Sequence, residues 1–134
     1  MSSIRRKITK TILVAEDQPD NRQLLTDILS IFESQGVRVI VTENGKDAYD
    51  AAVREKPDLL LLDVMMPILS GIEVCQKIKN DPSLESIYII MLTARIQKED
   101  RIDAAVAGAD EYITKPYDIS IILERVQSVL GLSS

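Results

Sequence analysis

The sequence contains no histidine and only one cysteine, Cys75. A single thiol cannot close an internal disulfide, and without imidazole the chain offers no ordinary zinc, copper or haem site. The same absence excludes Ser-His-Asp and Cys-His nucleophile systems. Aromatic residues make up 4% of the chain, which leaves few rings to sandwich a flavin. Of the five glycines, Gly36, Gly108 and Gly131 follow helical patterns, where a left-handed residue ends a helix, and Gly45 and Gly71 stand where helices open. None is left for the Gly-rich loop of a P-loop nucleotide binder. No run approaches the ~18 uninterrupted apolar residues of a membrane span. The opening MSSIRRK carries charge without the apolar core of a signal peptide. Basic residues are in the minority, 16 Lys+Arg against 21 Asp+Glu for a net charge of −5, so a broad basic face for nucleic acid is not expected. Arg5, Arg6, Lys7 and Lys10 read as a basic tail. The expectation is a cytoplasmic protein with neither nucleic acid nor membrane as partner.

With 134 residues, 46% of them hydrophobic, the chain can bury one full core without a staple. Five short apolar runs read as strands: residues 11–15, 37–41, 58–62, 87–92 and 111–114. Most are continuously apolar, as strands covered on both faces must be. Helical stripes lie between and after them. Leu24, Leu25, Ile28, Leu29 and Phe32 share one stripe; Ile102, Ala105, Val106 and Ala109 form another. Ile119, Ile122, Leu123, Val126, Val129 and Leu130 form the last, and weaker patterns surround Ala48, Ala51 and Ala52 and Val74, Cys75 and Ile78. Five alternations of strand and helix predict parallel strands joined by right-handed crossovers, a doubly wound three-layer α/β domain.

Ligands of such sheets bind beyond the carboxyl ends of the strands. Glu16 and Asp17 follow the first strand, Asp63 the third, Thr93 the fourth and Lys115 the fifth. Three carboxylates, a hydroxyl and an ammonium are thus expected on one edge. Oxygen-only donors suit a hard cation, Mg²⁺ or Mn²⁺. A carboxylate beside such an ion can act as a nucleophile towards phosphorus, a reaction that needs charge neutralisation and positioning above all. Each residue also has an ordinary reading: Asp17 as a helix cap, Asp63 as a turn residue before Pro67, Thr93 as a helix opener, Lys115 as a loop lysine. Asp58 and Asp110 precede strands, lie at the opposite edge and are read as structural.

From Thr11 to Leu130 the chain resembles the receiver domain of two-component response regulators. The resemblance rests on ILVAED at 12–17, PDLLLLDVMMP at 57–67, Ser70-Gly71, MLTA at 91–94 and GADEYITKP at 108–116. Thirty residues separate Asp63 from Thr93 and twenty-two separate Thr93 from Lys115, which matches the family's intervals. The resemblance implies a (βα)5 flavodoxin-like fold with strand order 2-1-3-4-5, a receiver unit at 11–131, a basic extension at 1–10 and a tail at 132–134. It implies Asp63 as phosphoacceptor. Mg²⁺ would be held by Asp17, Asp63, the backbone carbonyl of Met65 and, through water, Glu16. Thr93, Ala94 and Lys115 would bind the phosphoryl group, Tyr112 would be the switch aromatic, and Lys115–Pro116 a cis peptide. Ser70 departs from the aspartate common before this glycine but remains a good helix opener. Met65 and Arg95 offer no carboxylate or amide to orient an attacking water, so slow self-dephosphorylation is expected.

The function implied is a phosphorylation-activated switch that takes its phosphoryl group from a histidine kinase or phosphotransfer protein, acts through altered protein contacts, and catalyses only its own phosphorylation and dephosphorylation. No room is left for an output domain, so a receiver-only regulator leads. A phosphorelay shuttle, with a partner helix docking near Pro19, Asn21, Leu24 and Leu25, fits equally, as does a receiver excised from a hybrid histidine kinase. A non-phosphorylated scaffold of the same fold is the structural rival. Tyr117 and Ile121 are candidates for a partner surface. Arg101, Asp103, Asp110, Glu111 and Arg125 are compatible with a homodimer through the face made by the fourth helical segment, the fifth strand and the last helix.

Overall fold

A computed structural model of the chain describes residues 9–93 and 107–132. The strands are β1 (Lys10–Ala15), β2 (Val37–Thr42), β3 (Leu59–Asp63), β4 (Tyr88–Thr93) and β5 (Glu111–Thr114). The helices are α1 (Pro19–Leu29), α2 (Gly45–Glu55), α3 (Gly71–Lys79) and, after β5, α4 (Ile119–Leu130). All pairings are parallel, in the order β2-β1-β3-β4-β5. The fold expected from the alternation is therefore present. Most of the helical stripe at 102–109 lies outside the described residues.

The continuous apolar runs are explained by a period of two read on both faces. Leu13, Ala15, Leu60, Leu62, Ile89 and Met91 join one core cluster with the inner residues of α2 and α3. Ile12, Val14, Leu59, Leu61, Ile90 and Leu92 join the other with those of α1 and α4. Successive strand residues point to opposite sides, so each layer of helices receives its own half of every strand.

Helix ends follow local chemistry. Asn44 caps α2 by accepting from the Asp47 N–H, and Asp118 caps α4 by accepting from Ser120 and Ile121. Ser70 and Glu73 form a reciprocal capping box on α3, so the departure at Ser70 leaves helix initiation intact. Phe32 does not extend α1 as its stripe suggests. The chain tightens into a 3₁₀ segment, Ser30–Gln35, which turns Phe32 into the core and closes on Gly36 at φ 87°. At the edge remote from the strand carboxyl ends, Asp58 Oδ2 accepts the Thr11 N–H and Asp110 Oδ2 accepts the Ile89 N–H, each at 2.8 Å. Both aspartates bind the first residues of a neighbouring strand, the structural role expected of them. The Lys79 ammonium lies 3.1 Å from Asp110 and donates to the Glu85 and Ile87 carbonyls.

Candidate functional site

The sheet order reverses between β1 and β3. The helices that follow these strands lie on opposite faces of the sheet, α1 in one core cluster and α3 in the other, which leaves a crevice at the strand carboxyl ends. Register sets what reaches it. Ala15 pairs with Leu62, and Leu62 with Met91. The next residues along β1 and β3, Glu16 and Asp63, thus stand side by side. Thr93 pairs with Thr114 one level further out, and Lys115 lies beyond that. Its long side chain spans the offset and brings Nζ to 3.0 Å from both Asp63 Oδ2 and Glu16 Oε1.

Glu16, Asp63 and Thr93 are buried, and Asp17 is half-buried at the rim. Carboxylate oxygens of Glu16, Asp17 and Asp63 lie within 4.8 Å of one another. Asp63 Oδ1 accepts the Met65 N–H at 3.1 Å. Glu16 Oε2 accepts the Gln18 N–H at 3.1 Å and Oε1 accepts the Tyr117 hydroxyl at 2.6 Å. Burial and then the adjoining Glu16 push the Asp63 carboxyl up to about 7, against the pull of Lys115. Burial pushes Glu16 upward too, but hydrogen bonds from Asp63, Tyr117, the Gln18 N–H and Lys115 outweigh it and hold its carboxyl below the usual range. Burial opposes the Lys115 charge, yet Asp63 and Glu16 hold its pKa above the ordinary lysine value. Two buried carboxylates this close resist being ionised together unless a cation neutralises them. This all-oxygen donor set fits a hard divalent ion.

The loop between β3 and α3 is held against the site by two glycines. A Cβ on Gly71 would lie 2.1 Å from the Asp63 carbonyl oxygen, and one on Gly45 would lie 1.7 Å from that of Leu69. Within this loop Ile68 adopts φ 74°, a left-handed conformation that costs a β-branched residue on the order of 1–3 kcal/mol. Exposed Met65 and Ile68 flank the crevice.

Most residues singled out from sequence converge here. Asp17 does not cap α1, since Gln18 holds the N-cap position. Lys115–Pro116 is cis. Tyr112 is half-buried, pairs with Met91, and packs against the core cluster beneath α2 and α3. Ala94 and Arg95 lie outside the described residues. Three readings change. Tyr117 is no simple surface residue, because its hydroxyl enters the site. Leu25 is fully buried and cannot meet a docking helix, whereas Pro19 remains exposed and Asn21 and Leu24 partly so. Glu111 pairs with Arg125 at 2.6 Å, and Asp110 with Lys79, so these charges are engaged within the chain; Arg101 and Asp103 lie outside the described residues. Arg22 had escaped notice. Its guanidinium donates to the Glu16 and Asp17 carbonyls at 3.0 and 3.3 Å and faces Glu43 at 3.6 Å. The signal available was a basic residue one turn into a helix that follows two acids.

The response regulator receiver domain family matches residues 12–127, and the chain belongs to it. Two curated relatives show its range. The phosphate regulon transcriptional regulatory protein PhoB of Pseudomonas aeruginosa is 38% identical over 123 residues, which make up 92% of this chain and 52% of PhoB. The polar-differentiation response regulator DivK of Brucella anthropi is 35% identical over 122 residues, 91% of this chain and 97% of DivK. The chain thus spans about half of one relative and nearly all of the other. Among solved structures, the receiver domain of a Pseudomonas aeruginosa sensor histidine kinase is 29% identical with a TM-score of 0.81, covering 92% of this chain and 98% of that one; it is described with a magnesium ion coordinated in its active site cleft. The protein is a receiver domain of a two-component system, a phosphorylation-activated signalling switch. Among the described residues no helix is long and apolar enough to cross a membrane.

Proposed function

We propose that Asp63 is the phosphoacceptor. The observation that carries this reading is a buried aspartate held at Oδ2 by Lys115 and at Oδ1 by the Met65 N–H, beside two further carboxylates. A carboxylate oxygen of Asp63 attacks the phosphorus of a phosphohistidine on a kinase or phosphotransfer protein; the P–O bond forms as the P–N bond breaks, and the imidazole leaves with the partner. Asp17, Asp63, the Met65 carbonyl and, through water, Glu16 would hold Mg²⁺ or Mn²⁺, whose charge offsets that of the phosphoryl oxygens. Lys115 brings an ammonium to the same oxygens, and the Thr93 hydroxyl stands at the adjoining strand end. Drawing Thr93 inward frees space for Tyr112, which already packs on the core, and the rearranged surface is read by a partner protein. The chain catalyses only its own phosphorylation and dephosphorylation. The cytoplasm is the compartment in which we place it.

Intact mass after incubation with Mg²⁺ and acetyl phosphate tests this reading. Gain of one phosphoryl group, abolished by EDTA and by Asp63→Asn, is the expected result. No gain with either acetyl phosphate or a phosphorylated histidine kinase would leave the non-phosphorylated scaffold as the better account.

A further inference from the structure

Glu16 is fully buried, and both of its carboxylate oxygens have partners. Oε1 accepts the Tyr117 hydroxyl at 2.6 Å and the Lys115 ammonium at 3.0 Å, while Oε2 accepts the Gln18 N–H at 3.1 Å. A carboxylate oxygen accommodates about two hydrogen bonds. Those two donors fill Oε1, and Asp63 hydrogen-bonds the same carboxylate. The donors differ in how firmly they belong to Glu16. The Lys115 ammonium is shared with Asp63 at the same 3.0 Å and has a second duty there. The Gln18 N–H belongs to the turn entering α1. The Tyr117 hydroxyl has one proton to give and gives it to Glu16. Its aim is set by the ring, which packs against the core cluster shared with α1 and α4, and by its place between Pro116 and the α4 cap Asp118.

We propose that Tyr117 is a positioning residue of the cation site, its hydroxyl fixing the orientation of the Glu16 carboxylate, which would hold a metal through water. The inference rests on reading Glu16, Asp17 and Asp63 as that site. Groups that orient a metal's immediate partners change affinity by roughly ten- to a hundredfold when removed. Here the partner acts through an intervening water, so the low end of that range applies.

The test is a double-mutant cycle read by Mn²⁺ binding, with the electron paramagnetic resonance signal of free Mn²⁺ as the probe. Tyr117→Phe keeps the ring and removes only the hydroxyl. It is expected to weaken Mn²⁺ binding about tenfold while the thermal midpoint without metal stays within a few degrees of wild type. In a Glu16→Gln background the same change is expected to weaken binding by less than about twofold, because Tyr117 acts through the Glu16 carboxylate. Equal losses in both backgrounds, or a Tyr117→Phe protein that binds Mn²⁺ as tightly as wild type or more so, would overturn the inference and leave the site itself standing. A wild-type chain that binds no Mn²⁺ would overturn the cation-site reading and this inference with it.

Discussion

Asp63 carries the largest consequence of any single residue. Its carboxyl is raised to about 7 from an unfolded value near 4. The folded chain thus holds this proton more tightly than the unfolded chain does. The group's contribution to stability is complete below about pH 4 and is lost as pH rises through about 7. Asp63→Asn removes the charge that burial and Glu16 disfavour, so without metal at pH 8 it is expected to be more stable than wild type by about 1–3 kcal/mol. The advantage shrinks towards pH 5. Urea unfolding in EDTA across that range checks the sign, and an advantage that grows on acidification would contradict it. A cation must displace the same proton, so Mg²⁺ affinity is expected to rise with pH over the same interval. A second expectation concerns Met65, whose side chain is exposed beside Asp63 and brings no polar group to an attacking water. The phosphoryl group is expected to persist for minutes or longer, and Met65→Asn to shorten that time several-fold in a phosphate-release assay. Decay within seconds that is indifferent to residue 65 would defeat this expectation.

At the scale of elements, the β3–α3 loop shows how tightly the site is enclosed. A methyl group at residue 71 would drive into the Asp63 carbonyl, which is backbone and cannot yield as a flexible side chain does. Gly71→Ala is expected to destabilise the fold by more than about 2 kcal/mol and to slow phosphorylation, since the displaced atoms carry the acceptor. Gly131→Ala offers the contrast. Its φ of 67° disfavours a side chain, but among the described residues a Cβ there meets nothing within 4 Å beyond its chain neighbours, so a loss of about 1 kcal/mol with phosphorylation unchanged is expected. Thermal melts paired with the acetyl phosphate assay separate the two. The sequence located both glycines at helix ends, where pattern and turn chemistry are local. It could not say that one closes a helix in open space while the other lies against the backbone of a strand eight residues earlier.

For the whole molecule, the two core clusters share one sheet and are expected to unfold together. Leu60→Ala opens a cavity beneath α2 and α3, and Leu61→Ala one beneath α1 and α4. Each is expected to lower stability by roughly 2–5 kcal/mol and to shift a single calorimetric transition; two separate transitions would show that the layers unfold apart. Strand runs, helix stripes and the acids at strand ends were legible from sequence because continuous apolarity, the 3.6-residue period and turn chemistry are written along the chain. The convergence of Glu16, Asp17, Asp63, Thr93 and Lys115 followed from alternation alone, since all parallel strands end at one edge. Other features needed the third dimension. The hydroxyl of Tyr117 meets a carboxylate 101 residues away, and Phe32 reaches the core only because the chain tightens after α1. Leu25 belongs to the core and not to a docking face. By itself, the sequence determined which groups stand at the strand ends and hence the chemistry available. Only the tertiary structure decided which of them touch, because register and side-chain reach between distant segments set distances that no local pattern encodes.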